Sequence, residues 1–212
     1  MNEYLFIVPI AIALVFGVMS PGPSFIYVAQ TTLSKSRSHG IATSLGMGTG
    51  AVTFTLLASF GLFLVIKTVP FLYGFLKVIG GLYLLYLAYK MWTAPTGKSQ
   101  VAEASADLSV TKSENNHFRS YLMGLLIQLS NPKTAIVIGG IIMAFLPAEV
   151  PPYSFWIIAI VAFVIDAGWY CIVAVALSTA KAQRFYNRFK QRINRIAGGL
   201  MAIMGTKLAL NL

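Results

Sequence analysis

Hydropathy along the chain alternates between long apolar runs and short polar connections. Six runs stand out, at roughly 4–32, 40–66, 70–92, 119–146, 153–179 and 193–210. A helix needs roughly 20 mainly apolar residues to cross about 30 Å of hydrocarbon, so each run predicts a transmembrane helix. The first carries no charge between Tyr4 and Thr32, long enough for a tilted span. No basic segment precedes it and no A-x-A site follows it, so it reads as a retained helix and not a signal peptide. The last run is short and carries Arg195 and Lys207 at its two ends. Without it the C-terminus would change sides.

Residues 93–118 interrupt this pattern. They are rich in Ala, Ser, Thr, Asn and charge, lack apolar periodicity, and read as a polar, flexible linker. The linker divides the chain into 1–92 and 119–212, with three runs each. Lys77-Val78-Ile79-Gly80-Gly81-Leu82 lines up with Arg195-Ile196-Ala197-Gly198-Gly199-Leu200. Ser20-Pro21-Gly22-Pro23-Ser24 gives a looser match to Ser130-Asn131-Pro132-Lys133-Thr134. An odd number of spans per half would set the repeats in opposite orientations, a recurring design in secondary transporters. The competing explanation is that Gly-Gly-Leu recurs by chance in a chain rich in both residues. The predicted fold is an all-α membrane protein of about six transmembrane helices. These form two inverted three-helix repeats, with the first and fourth helices broken at the midplane.

Composition agrees: 57% of residues are hydrophobic and 10% charged, against about 25% charged in soluble domains. The formal net charge of +10 would suit nucleic acid, but its placement does not. Lys35, Arg37, Lys90, Lys98, Lys112, Arg119, Lys181, Arg184, Arg188, Lys190, Arg192 and Arg195 all fall to one face of a six-span topology. Lys67, Lys77 and Lys207 fall to the other, and Lys133 is left at mid-depth. The positive-inside rule then puts the basic face in the cytoplasm and both termini outside. Residues 181–192 read as an interfacial amphipathic helix, with Phe185 and Phe189 one turn apart among basic residues. The lone Cys171 excludes an intrachain disulfide. His39 and His117, both in polar connections, offer no buried metal site.

Helix breakers supply the first candidate chemistry. Pro21, Gly22 and Pro23 lie just past the midpoint of the first run, and Asn131-Pro132 near the midpoint of the fourth. A proline in a helix interior costs about 3 kcal/mol and frees backbone groups that lipid cannot satisfy. Such backbone is tolerated where it faces protein or a water-filled cavity, so two matched breaks point to a substrate cavity. Two structural kinks are the alternative. Asp166 sits at the midpoint of the fifth run, where an ionised carboxylate costs roughly 2.5–3.5 kcal/mol on insertion scales. Lys133 is the basic residue at matching depth. Asp166 either cycles a proton, exchanging it for a substrate's cationic amine, or forms a static pair with Lys133.

Ala42, Gly46 and Gly50, with Gly48 between them, form a small-residue face that reads mainly as helix packing. Gln30, Gln128 and Asn131 add inward polar groups, as interhelical glue or as ligand contacts. Tyr83, Tyr86, Tyr89 and Trp92 read as an interface belt. The chain has no G-x-x-x-x-G-K-[ST], G-x-S-x-G or H-E-x-x-H, so no nucleotide site and no hydrolase or zincin motif is present. No cofactor is expected, and energy would come from an ion or proton gradient.

Several of these features together resemble the LysE/RhtB family of amino-acid exporters. They are Ser20-Pro21-Gly22-Pro23, Lys35-Ser36-Arg37-Ser38-His39-Gly40, Gly46/Gly48/Gly50, Gly80-Gly81-Leu82-Tyr83-Leu84, the linker, Asn131-Pro132-Lys133 and Asp166. The resemblance covers almost the whole chain. It implies a bacterial inner-membrane exporter driven by the proton-motive force, and it marks Pro21, Gly22, Pro23, Asn131, Pro132, Lys133 and Asp166. Exporters of basic amino acids in that family place an acid near the position of Thr49-Gly50, where this chain has none. A neutral or small polar amino acid is therefore the expected substrate. The expected partners are that substrate, protons, the lipid bilayer and, as an open option, further copies of the chain. No nucleic acid is expected. The alternatives are a non-transporting membrane scaffold or accessory subunit, and an exporter of another small metabolite or cation.

Overall fold

The computed structural model describes residues 5–20, 22–68, 72–93, 116–151, 153–176, 191–192, 195–196, 198–206 and 209–210. The described residues form helices, turns and short connections with no strand. Helix α1 spans Ile7–Met19, α2 Pro23–Ser34, α3 Arg37–Thr68 and α4 Leu72–Trp92. After the linker come α5 (His117–Leu129), α6 (Pro132–Phe145) and α7 (Tyr153–Ala176). Residues 198–206 are also helical. Most of the linker, residues 94–115, and most of 181–192 lie outside the described residues, as does part of 193–210.

By length and composition α3 and α7 can each cross a membrane. The pairs α1–α2 and α5–α6, bent by 59° and 63°, qualify together as broken spans or as re-entrant loops. Up to four spans follow from the described residues, fewer than the six runs of the hydropathy pattern.

Both breaks have a local cause. Ser20 and Gly22 are extended, and α2 starts at Pro23. Asn131 is extended, and α6 starts at Pro132. Proline suits the first helical position, where its missing N–H would have had no intrahelical partner. The prolines therefore open new helices instead of disrupting existing ones. Asn131 completes the second start, its Oδ1 accepting from the Lys133 amide at 3.0 Å.

Apolar side chains face outward as well as inward. On α7, Trp156, Ile160, Val164 and Ile172 form an exposed apolar stripe, while Asp166 and Tyr170 are buried. Water would penalise that stripe and lipid does not. Three of the buried hydroxyls are satisfied by their own helix: Thr43, Ser44 and Thr55 donate to carbonyls four residues earlier.

Helix α3 packs mainly on α5 and α7. A Cβ on Gly46 would collide with the Tyr121 carbonyl, and one on Gly124 with the Thr43 carbonyl. On Gly48 it would stand 2.7 Å from Ala167 Cβ. The glycine ladder is thus a packing face that lets backbones touch. Two apolar clusters result. One gathers Ile10, Leu14, Val137, Ile141, Phe155, Ile158 and Met201; the other Phe25, Val28, Met47, Tyr170 and Val173.

Candidate functional site

A cleft opens between the two clusters, lined by Leu14, Val137 and Ile138 of the first and Tyr170 of the second. Its empty space, with the open mouth included, is about 480 Å³. Its polar wall is built from Gly22, Asn131, Lys133, Thr134 and Asp166. Gly22 and Asn131 are the residues that cap α2 and α6, so both half-helix starts face the cleft.

Behind that wall runs a buried hydrogen-bonded chain. Asn131 Nδ2 donates to Ser24 Oγ at 2.8 Å, and Ser24 Oγ donates to Gln128 Oε1 at 2.6 Å. Gln128 Nε2 donates to Asp166 Oδ1 and Oδ2 at 3.1 and 3.2 Å. Four helices, α2, α5, α6 and α7, are tied together through these side chains. Lys133 Nζ donates to the carbonyl of Ser20 at the end of α1 and lies within electrostatic reach of Asp166. A cation at a helix C-terminus complements the helix dipole. Gly22 leaves room for this lysine: a Cβ there would stand 3.2 Å from Lys133 Cδ and 3.3 Å from Nζ. Because Gly22 has ordinary extended dihedrals, the requirement is space and not conformation.

The structure therefore brings Gly22, Asn131, Lys133 and Asp166 to one cleft. Pro23 and Pro132 stand at the starts of the helices that frame it. Pro21 lies outside the described residues. Gln30 is buried on α2 but is absent from the cleft wall. It lies six positions after Ser24, which at 100° per residue turns it about 120° away. Ser24 and the full role of Gln128 emerge only from the folded chain. Ser24 belongs to the same short motif as the prolines, a signal that could have marked it.

A cleft holding an acid and a lysine between two broken helix pairs is the arrangement expected of a membrane transport protein. The model of the LysE type translocator family matches residues 15–212, and the chain belongs to that family. It is 32% identical over 202 residues to the threonine efflux proteins of Salmonella typhi and of Escherichia coli strain K12. Each match covers 95% of this chain and 96% of the relative. An uncharacterized membrane protein of Haemophilus influenzae is 29% identical, with 92% of each chain covered. No solved structure gives a significant match.

Proposed function

We infer that this protein exports a neutral, polar amino acid, with threonine the first candidate, from the cytoplasm at the expense of the proton-motive force. One observation carries the reading: a single cleft holds a carboxylate, an ammonium and two half-helix N-termini. A zwitterion needs that set of partners. Asp166 receives its ammonium, and Lys133 with the dipole ends of α2 and α6 receives its carboxylate. The names of the threonine efflux relatives point the same way. Among the residues that line the cleft Asp166 is the one acid, so nothing there favours a dicationic substrate. Asp166 also carries the coupling proton on the return step, taking it up after the substrate has left and losing it to the cytoplasm before the next ammonium binds.

The reading extends to six spans in two inverted repeats, 1–92 and 119–212, joined by the linker 93–118. In support, α1 meets α6 while α2 meets α5, and α3 meets α7, the pairing that a two-fold relation between halves requires. The basic face would lie in the cytoplasm of a bacterial inner membrane, with both termini outside. A scaffold whose midplane groups serve a partner is disfavoured, because Ser24, Gln128, Asn131 and Asp166 face one another within this chain.

Counterflow of labelled L-threonine in proteoliposomes, with and without a pH gradient, tests the proposal. We expect exchange in both conditions and net efflux accelerated by the gradient. Asp166→Asn should abolish gradient-driven efflux. Full gradient-driven export by that variant would refute the proton-carrier role.

A further inference from the structure

Gln128 occupies the last turn of α5, fully buried, two residues before the turn that ends at Asn131. Both ends of its amide are used: Oε1 takes the Ser24 hydroxyl, and Nε2 lies across both oxygens of Asp166. The side chain has a prepared seat, since a Cβ on Gly50 would stand 2.8 Å from its Cβ and Cγ. The groups that α1, α2 and α3 bring to the cleft, Leu14, Gly17, Val18, Gly22 and Ala51, carry no side-chain donor. Asn131, Lys133 and Thr134 at the start of α6 and Tyr170 on α7 are the other polar side chains that line the cleft with the carboxylate. An amide nitrogen spanning both carboxylate oxygens takes the position that an incoming ammonium would need.

We propose that Gln128 is a positioning residue that holds Asp166 as a tethered surrogate for the substrate's ammonium. The proposal rests on the amino-acid reading above. When the ammonium takes the carboxylate oxygens, Nε2 is displaced. The amide's hold on Ser24 changes, and with it the link through Asn131 to the starts of α2 and α6. Occupancy of Asp166 is thereby communicated to both breaks. The exchange gives the ligand a differential interaction with two conformations, without which binding shifts no equilibrium. Part of the binding free energy goes into displacing Gln128, so the wild-type site binds less tightly than its charges allow.

Gln128→Met tests this, because it keeps the side chain's length and removes the donor. Equilibrium binding of labelled L-threonine should become about tenfold tighter, the factor that a hydrogen bond to a charged group is worth. Turnover in counterflow should fall at the same time. A side chain that merely fills space would move both in the unfavourable direction. Labelling of Asp166 by a hydrophobic carbodiimide, read by mass spectrometry, needs no substrate and should be several-fold faster in the variant. An unchanged labelling rate, or threonine affinity unchanged or weaker in Gln128→Met, overturns the proposal. If the wild-type protein neither binds nor exchanges L-threonine, the amino-acid reading falls, and the labelling rate still decides whether Gln128 guards Asp166.

Discussion

An acid and a lysine that share a cleft inside a membrane protein can each have a neutral hydrogen-bonding partner as well. Asp166 is held by the Gln128 amide, whereas Lys133 donates to the Ser20 carbonyl where α1 ends. Each side chain has a neutral dipole among its partners, and both stand at the cleft. For Lys133 this gives a structural role separable from substrate binding. Replacing it by Met removes a charged donor from a freed helix carbonyl, a loss of about 1.5–3 kcal/mol. Thermal unfolding of the detergent-purified Lys133→Met variant should show a lowered midpoint, and Lys133→Arg should recover much of it. Equal midpoints for wild type and Lys133→Met would mean that the lysine contributes nothing to the break. Gly22 belongs to the same arrangement, as its missing side chain is the space that the ammonium uses.

At the scale of elements, the two breaks are alike in their prolines and unlike in their caps. Pro23 and Pro132 both occupy first helical positions, but Asn131 caps α6 with its side chain while Gly22 has none to offer α2. Pro132→Ala should therefore change stability little, since proline there costs no hydrogen bond. Asn131→Ala should cost about 0.5–2 kcal/mol for the cap alone, and more because the donor to Ser24 disappears. Chemical or thermal unfolding of the two variants side by side checks the order, and the reverse order would reject this account of the break. The positions of the breaks were legible in the sequence because proline acts locally on its own backbone. The chain Asn131–Ser24–Gln128–Asp166 was not, because it joins residues 107, 104 and 38 positions apart. Hydropathy likewise placed Gln30 among inward polar groups correctly but could not fix which way its face of α2 turns. The glycine ladder was legible as a packing face, though not that Gly46 serves α5 and Gly48 serves α7.

At the scale of the molecule, a contact far from the cleft bears on how the chain crosses the membrane. The rings of His39 and His117 stack with centroids 4.3 Å apart, and Ser38 Oγ lies 2.9 Å from His117 Nε2. His39 is near the start of α3 and His117 begins α5, so both helices start on the same side. Between them the chain must cross an even number of times, which α3 and α4 supply if each is a full span. That side also carries Lys35, Arg37 and Arg119, the basic residues that the charge rule assigns to the cytoplasm. If α5 and α6 together make one broken span, the connection from α6 to α7, with exposed Glu149, lies on the opposite side. Accessibility to a membrane-impermeant maleimide tests this orientation directly. In a Cys171→Ser background, Glu149→Cys should label in intact bacterial cells. Ser38→Cys, also at an exposed position, should label only after the cells are permeabilised. Labelling of Ser38→Cys in intact cells with Glu149→Cys protected would invert the protein in the membrane. The cleft and its hydrogen-bonded chain would stand unchanged, but the basic face would be periplasmic, and the proposed direction of transport would lose its electrostatic support.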